Sequence, residues 1–128
     1  MTSPFLQIPS KDWIDYNEYA FAIWDGYPVN PGHVLVVPFR EVRDWFEALP
    51  HEQTAIMQLV NRVKTVIDST HRPDGYNVGF NVGDAGGQTV FHLHVHVIPR
   101  YHGDMEDPRG GVRHVIPERG NYRKDQPR

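Results

Sequence analysis

The chain contains no cysteine among its 128 residues. This absence excludes disulfide bonds, thiolate zinc sites and cysteine nucleophiles, and it fits a reducing compartment. The sequence also has no apolar run of the roughly 20 residues that a membrane-spanning helix needs. Its N-terminus has neither the basic flank nor the apolar stretch of a secretory signal. We therefore expect a cytoplasmic protein with no membrane partner.

The sequence has no excess of positive charge. Its 13 lysines and arginines are outnumbered by 16 aspartates and glutamates, which gives a net charge of −3 with histidine neutral. A general nucleic-acid binder presents a basic face, so nucleic acid is not an expected partner. A small anionic substrate is compatible with this charge because such a site needs only local donors.

Short apolar segments separated by turn residues predict strands. Residues 19–24 (YAFAIW) and 33–37 (HVLVV) flank a turn that has two prolines and two glycines. Residues 76–81 and 90–98 predict two further strands, and residues 112–116 predict a short one.

The segment at residues 51–70 changes to a helical period. Pro50 stands where the first helical turn tolerates proline, and Pro73 follows the end. The apolar residues that recur at helical spacing are Ile56, Leu59, Val60, Val63 and Ile67. Residues 44–49 predict a shorter helical segment. The order of two strands, one long helix and two strands predicts a single α+β domain over residues 1–128, with a mainly antiparallel sheet.

Three histidines alternate with apolar residues in the fourth predicted strand, VFHLHVHVI. Because successive side chains of a strand point to opposite faces, His92, His94 and His96 share one face, and the residues between them share the face toward the core. Three imidazoles on one face are costly to bury without partners. A purely structural explanation of the triplet is therefore disfavoured.

Two functional interpretations of the triplet stay open at this point. Histidine binds zinc, copper and nickel, and histidines two residues apart can chelate one ion. A neutral imidazole can instead attack phosphorus while a neighbouring imidazolium protonates the leaving oxygen. The triplet alone does not distinguish a metal-binding module from a phosphoryl-transfer site.

A glycine-rich loop, NVGDAGGQT at residues 81–89, precedes the triplet. Its glycines, Gly87 among them, let backbone N–H groups approach a ligand closely. Asn81, Gln88 and Thr89 add neutral donors, which suit an anionic oxygen and are poor metal ligands. The loop therefore favours a phosphate cradle beside the histidines, although its glycines alone would indicate a plain hairpin turn.

The segment GGQTVFHLHVHVIPR resembles the signature of the histidine triad (HIT) family, in which three histidines alternate with apolar residues. FAIWDGYPVNPGHVLVVP is similar to the upstream strand–turn–strand segment of the same family. The resemblance covers residues 15–101 and leaves 102–128 as a tail rich in arginine, glycine and proline. It implies an α+β meander and a homodimer formed by extending the sheet and packing helices.

The resemblance implies roles for four histidines. His94, the middle histidine, matches the family's nucleophile, which forms a covalent nucleotidyl-histidine. His96 matches the histidine that contacts the scissile phosphate and assists the leaving group. His92 supports the cluster, and His33 in the NPGH turn completes a network behind it.

The resemblance also implies the substrate contacts. Asp25 falls where the family holds the ribose hydroxyls, and Ile23 matches an apolar wall against the base. Phe5 is a further candidate for that pocket. The positions that match contacts to phosphate oxygens or to the leaving group are Asn81, Gln88 and Thr89.

The branches of the family differ in substrate. A transferase branch has glutamine in place of the third histidine, which His96 argues against. A DNA-repair branch has a basic surface and a zinc finger, which an acidic chain without cysteine does not provide. The phosphoramidase branch and the dinucleoside-polyphosphate branch both remain, and the Pro-Arg pair after the triad is more similar to the second.

The C-terminal tail carries arginines that bear on this choice. Arg109, Arg113 and Arg119 are candidates for neutralising a long polyphosphate, and a solvated surface explains them equally well. The favoured hypothesis is a hydrolase that cleaves dinucleoside polyphosphates and releases a nucleoside monophosphate. It requires no cofactor, although magnesium bound with the substrate can assist.

Overall fold

The computed structural model describes residues 2–123, Asp125 and Pro127. Within this part of the chain the strands are β1 (Asp15–Tyr16), β2 (Ala20–Trp24), β3 (Val34–Pro38), β4 (Gly75–Gly79) and β5 (Val95–Arg100). They form one sheet in the order β1-β2-β3-β5-β4, with every neighbouring pair antiparallel. The 22-residue helix α1 (Pro50–His71) connects β3 to the edge strand β4. This architecture confirms the predicted α+β class and its antiparallel sheet.

The helix forms where the helical period predicted it. The apolar residues that it buries are Ala55, Ile56, Leu59, Val63 and Ile67, whereas Val60 is half-buried. Glu52 caps its first turn by accepting the Leu49 N–H at 2.8 Å, and Arg40 holds the same carboxylate at 2.7 and 3.0 Å. The helix ends where Arg72 takes a left-handed φ of 51°, directly before Pro73.

The two faces of the sheet bury different clusters. The strand residues that point to α1 and form the main core are Ala20, Ala22, Val34, Val36, Val95 and Val97. The intervening residues, which pack with Phe5 on the opposite face, are Phe21, Ile23, Leu35 and Val37. Because His96 pairs with Leu35 in register, it lies on this second face. The helix therefore covers one side of the sheet and leaves the histidine side to other segments.

The strand predicted at residues 90–98 is wrong in its first half, because β5 begins only at Val95. Leu93 donates its N–H to the carbonyl of Val42 at 2.8 Å and so leaves the ladder with β3. The first two histidines of the triplet therefore lie in the segment that leads into β5. Leu93 still points into the main core. Strand β4 likewise ends at Gly79, two residues before its predicted end.

The short strand predicted at residues 112–116 is wrong. This segment is a 3₁₀-helix, Gly111–Val115. Gly110 takes a φ of 97°, which reverses the chain, and Arg113 Nε then donates to the carbonyl of Gly120 at 3.2 Å. The tail therefore folds on itself and adds no strand to the sheet at this point.

The shorter helical segment predicted at residues 44–49 is present as a 3₁₀-turn, Trp45–Glu47. Asp44 caps it, because its Oδ1 accepts two backbone N–H groups of the turn at 2.9 and 3.2 Å. None of the helices in the described residues has the length and apolar character needed to cross a bilayer.

Candidate active site

Histidines from distant segments meet on the face of the sheet opposite α1. His96 lies on β5, His92 and His94 lie in the segment just before it, and His33 immediately precedes β3. The ring centroids of His94 and His96 are 5.2 Å apart, and those of His33 and His96 are also 5.2 Å apart. The fold thus brings His33 and His94 into contact with the ring of His96 between them, and His92 adjoins this row through its carbonyl.

The hydrogen bond of His94 determines which of its ring nitrogens is free. Its Nδ1 lies 2.8 Å from the carbonyl oxygen of His92. A carbonyl can only accept, so Nδ1 carries the hydrogen, and in the neutral ring Nε2 keeps its lone pair. His94 is half-buried. The ring therefore presents an available nucleophilic nitrogen on this face.

His33 determines the tautomer of His96. The backbone N–H of Val29 donates to His33 Nδ1 at 3.0 Å, so the hydrogen of neutral His33 sits on Nε2. That Nε2 lies 3.0 Å from His96 Nδ1, which must then accept. The hydrogen of His96 consequently sits on its own Nε2. Two separate sets of hydrogen bonds thus leave a lone pair on Nε2 of neutral His94 and a donor on Nε2 of His96.

Burial keeps the rings of His33 and His96 neutral, as the hydrogen bond between them requires. Burial, together with the neighbouring His94 and His33, lowers the pKa of His96 to about 4. Burial also lowers the pKa of His33, and this effect is partly offset by Asp25, whose Oδ2 lies 3.4 Å from His33 Nε2. Near neutral pH His33 and His96 therefore act as neutral donors and acceptors.

His92 is held from both sides in the interior. Its Nε2 donates to the carbonyl of Pro38 at 2.8 Å, and its Nδ1 lies 2.6 Å from the hydroxyl oxygen of Ser3. Burial lowers the pKa of His92 as well. Ser3 was not among the predicted site residues, because nothing local in the sequence signals a contact across 89 positions.

The predicted base pocket lies beside His94. Phe5 is buried in the same apolar cluster as Ile23, and its ring centroid is 5.0 Å from that of His94. Asp25 lies at the end of β2 next to this cluster, and its Oδ1 accepts the N–H of Tyr27 at 2.8 Å. The structure therefore places an apolar wall and a carboxylate next to the histidines.

One predicted phosphate contact of the glycine-rich loop, Gln88, is already occupied by hydrogen bonds within the protein. Gln88 is buried, and its Oε1 accepts the N–H of Gly83 at 3.0 Å. Its Nε2 donates to the carbonyls of Arg43 and Val90 at 2.7 and 3.1 Å. The implied contact of Gln88 with phosphate would require breaking these bonds, so in this arrangement Gln88 shapes the loop.

The remaining loop residues stay accessible. Asn81, Gly87 and Thr89 are exposed, and Gly87 takes a φ of 89°, which favours glycine at this turn. These positions leave the amide and hydroxyl side chains and the loop backbone open to an anionic ligand.

Asp25, His33 and His96 also raise the alternative of a metal site. One ligand atom from each lies within 4.8 Å of the others. However, His33 Nδ1 already accepts the Val29 N–H, so Nε2 could bind an ion only as part of an imidazolate. The same nitrogen donates to His96. The donor set therefore fits a hydrogen-bonded network better than a metal ion.

The tail arginines are largely engaged within the tail. Arg109 forms a two-pronged ion pair with Asp107 at 2.9 and 3.0 Å. Arg113 donates to the carbonyls of Gly120 and Arg119 at 3.2 and 3.0 Å. These contacts favour a structural role for both arginines over the neutralisation of a polyphosphate.

We expect the buried histidines to make stability depend on pH. A histidine whose pKa is lower in the folded state binds its proton first in the unfolded state. Above the ordinary pKa of 6.5 neither state is protonated, and as pH falls below 6.5 the free energy of unfolding should decrease. Each such histidine contributes about 1.4 kcal/mol per pH unit, and for His96 the loss continues to about pH 4.

Urea denaturation between pH 7 and pH 5 would measure this dependence. Carboxyl groups contribute little in this window, because their ordinary pKa values of 3.8–4.5 lie below pH 5 and those of Glu52, Asp68 and Asp104 are lowered further by folding. A His96→Asn variant should have a shallower slope, whereas His102→Asn, at an exposed position, should match the unmodified protein. A flat profile would contradict the burial of neutral imidazoles.

Comparison with known proteins agrees with the geometry of the site. The chain is 38% identical over 107 residues to a Mycobacterium tuberculosis protein named AP-4-A phosphorylase, covering 79% of this chain and 55% of that protein. It is 37% identical over 90 residues to the bis(5'-adenosyl)-triphosphatase of Dictyostelium discoideum, covering 70% and 60%. The chain thus spans less than two thirds of the length of these curated relatives.

A solved structure and a family model complete the comparison. A zinc-bound histidine triad family protein from Mycobacterium smegmatis superposes with a TM-score of 0.73 at 30% identity, covering 84% of this chain and 81% of that one. The model of the HIT domain matches residues 7–103, most of the chain. With the family's signature histidines gathered on one face of its sheet, the chain belongs to the histidine triad (HIT) domain family.

Proposed function

We propose that this protein hydrolyses dinucleoside polyphosphates through a covalent nucleotidyl-His94 intermediate and releases a nucleoside monophosphate. The observation that carries the proposal is the pair of tautomers set by the backbone. His94 offers a lone pair on Nε2 and His96 offers a hydrogen on Nε2, with the two rings in contact. A nucleophile beside a neutral donor is the combination that splitting a phosphoanhydride needs.

The named relatives support the substrate class. Besides AP-4-A phosphorylase and bis(5'-adenosyl)-triphosphatase, a Schizosaccharomyces pombe protein named bis(5'-nucleosyl)-tetraphosphatase is 40% identical over 80 residues, covering 62% of this chain and 44% of that protein. All three names refer to nucleotides joined by a polyphosphate. Because this chain spans only part of each relative, substrate preference needs its own test.

The first step joins the nucleotide to the protein. His94 Nε2 attacks the α-phosphorus, and the bond from that phosphorus to the bridging oxygen breaks. The leaving nucleotide departs with the electron pair, while the Nε2 hydrogen of His96 hydrogen-bonds its oxygen. His94 becomes a cationic nucleotidyl-imidazole, whose Nδ1 hydrogen is already held by the carbonyl of His92 at 2.8 Å.

The second step returns the free histidine. A water oxygen bonds to phosphorus, the nitrogen–phosphorus bond breaks, and His94 recovers its lone pair. The proton from water leaves with the monophosphate or passes to solvent. The open loop residues can hold the phosphoryl oxygens in both steps, and magnesium accompanying the polyphosphate is compatible with this scheme.

A substrate panel tests the proposal. Diadenosine polyphosphates and adenosine 5′-phosphoramidate would be compared by kcat/KM, with and without a strong chelator. We expect the polyphosphates to give the higher kcat/KM. After treatment with the chelator, addition of excess magnesium should restore full turnover. Preference for the phosphoramidate would assign the protein to the phosphoramidase branch. Activity that needs a tightly bound transition metal would favour the metal alternative.

Asp25 is expected to hold the ribose. Changing Asp25 to alanine should weaken nucleotide binding by about 1–3 kcal/mol, the range for hydrogen bonds to a charged acceptor. Asp25→Asn, which keeps one acceptor oxygen, should weaken nucleotide binding less than Asp25→Ala does. Calorimetric titration with a nucleoside monophosphate would measure both. If a 2′,3′-dideoxy nucleotide binds the unmodified protein as tightly as its ribose parent, the assignment is wrong.

We also propose that the protein is a homodimer. An apolar patch lies along the free edge at β4, where Phe46 is 75% exposed and contacts Phe80, and Val78 faces the same side as α1. Pairing two copies along β4 would bury this patch and satisfy the edge. Light scattering at micromolar concentration should give a dimeric mass, which Phe46→Lys should reduce.

The matched control for dimerisation lies at the other edge of the sheet. Tyr16 on β1 is also an exposed aromatic residue, and Tyr16→Lys should leave the mass unchanged. A monomeric mass for the unmodified protein would contradict the proposal.

A further inference from the structure

The N-terminal segment reaches across the sheet to the first histidine of the triplet. Ser3 is only 6% exposed, and its hydroxyl oxygen lies 2.6 Å from His92 Nδ1. The backbone N–H of Ser3 donates to Glu41 at 2.8 Å, and the N–H of Phe5 donates to the Ser3 hydroxyl oxygen at 3.2 Å. Three hydrogen bonds therefore hold this serine against a buried imidazole.

Only one direction of these hydrogen bonds is self-consistent. The carbonyl of Pro38 can only accept, so His92 Nε2 must donate to it and Nδ1 of the neutral ring must accept. The Ser3 hydroxyl then donates to Nδ1 and uses a lone pair for the N–H of Phe5. Both nitrogens of His92 are thus satisfied, which fixes the orientation of the ring.

His92 in turn positions the ring of His94. The carbonyl oxygen of His92 accepts the hydrogen of His94 Nδ1, so the placement of residue 92 sets the tautomer and direction of the His94 ring. We propose that Ser3 is a positioning residue that acts through His92 to hold His94 with Nε2 free. This inference rests on the proposed role of His94 as nucleophile.

Removal of the hydroxyl has a definite physical consequence. In Ser3→Ala the Nδ1 lone pair of His92 would be buried without a donor, while the ring is 1% exposed and closed to solvent. The ring can relieve this by turning over or changing tautomer, at the expense of its bond to Pro38. Either change removes a hydrogen bond that holds residue 92 in place, so the carbonyl on which His94 depends is less firmly positioned.

The experiment compares Ser3→Ala with Ser3→Thr, which keeps the hydroxyl. Ser10→Ala, which removes an exposed hydroxyl from the same N-terminal region, is the matched control. We expect Ser3→Ala to lower kcat for a diadenosine polyphosphate about tenfold with little change in KM, the size of one lost hydrogen bond. Ser3→Thr should recover most of the rate, and Ser10→Ala should behave as the unmodified protein.

A spectroscopic measurement distinguishes loss of the His92 and His94 tautomers from a general loss of stability. Long-range ¹H–¹⁵N spectra of the imidazoles should show a single Nε2–H form for His92 and a single Nδ1–H form for His94. Both should become mixed in Ser3→Ala and single again in Ser3→Thr. If Ser3→Ala does not fold, Ser3→Cys, whose thiol is a weaker donor, takes its place with an intermediate effect.

The outcomes decide the two claims separately. If Ser3→Ala keeps both single tautomers, or if its only change is a lower melting temperature, the positioning role is overturned. If no variant and no unmodified protein cleaves any nucleotide, the proposed hydrolysis fails. The imidazole spectra would still show whether Ser3 sets the two tautomers.

Discussion

Replacement of His94 by asparagine should remove nearly all turnover, by about 10⁴- to 10⁶-fold in kcat, as expected when a nucleophile is lost. Asparagine is chosen because its amide can still donate to the carbonyl of His92, as Nδ1 does at 2.8 Å. It offers no lone pair comparable to the imidazole nitrogen. Binding of a non-hydrolysable nucleotide should be largely unchanged, because the lost interaction is made only on the way to the transition state.

The control for this substitution is His102→Asn. The same change is made there at a histidine whose side chain is 93% exposed, and turnover should be unaffected. A chiral thiophosphate substrate gives the decisive check on the unmodified protein, because two in-line displacements at phosphorus yield net retention. Net inversion would mean direct attack by water and would contradict a covalent intermediate.

The sequence predicted the histidine face of the sheet because alternation is a local property of extended backbone. Leu93, Val95 and Val97 enter the main core as expected. The histidine side holds even though β5 starts only at Val95, because Leu93 enters the main core ahead of the strand and so keeps the neighbouring histidines on the other side. The exact length of the strand depends on β3 and was therefore not predictable from this segment alone.

Gln88 and Ser3 show where local pattern fails. A side-chain amide serves a phosphate oxygen and a backbone carbonyl equally well, and Gln88 meets the carbonyl of Arg43, 45 positions away. Ser3 lies 89 positions from His92. Contacts of this kind depend on how distant segments are brought together, which residue type and spacing do not reveal. The strand predicted at residues 112–116 failed for the same reason, since the fold of this segment depends on a contact between Arg113 and the carbonyl of Gly120.

Replacement of His96 by alanine should lower kcat by about 10²- to 10⁴-fold, the range for loss of a proton donor or a preorganised hydrogen bond. The effect should be smaller than for His94, because the nucleophile survives. It should also depend on the leaving group. The nitrophenolate oxygen is a good leaving group that needs little protonation. The kcat for a nitrophenyl ester of a nucleotide should therefore decrease much less than the kcat for a diadenosine polyphosphate.

The dependence on leaving group shows whether His96 donates a hydrogen bond to the leaving oxygen or only positions His33. His96 also accepts the Nε2 hydrogen of His33 at 3.0 Å, so its removal frees that ring as well. If the only consequence were a displaced His33, good and poor leaving groups would suffer equally, and the donor role would be contradicted. If the loss grows with the basicity of the departing oxygen, the hydrogen on His96 Nε2 acts on the bond that breaks. That hydrogen is placed there by the Val29 N–H through His33, so a backbone amide four residues from His33 sets which atom of His96 serves the leaving group.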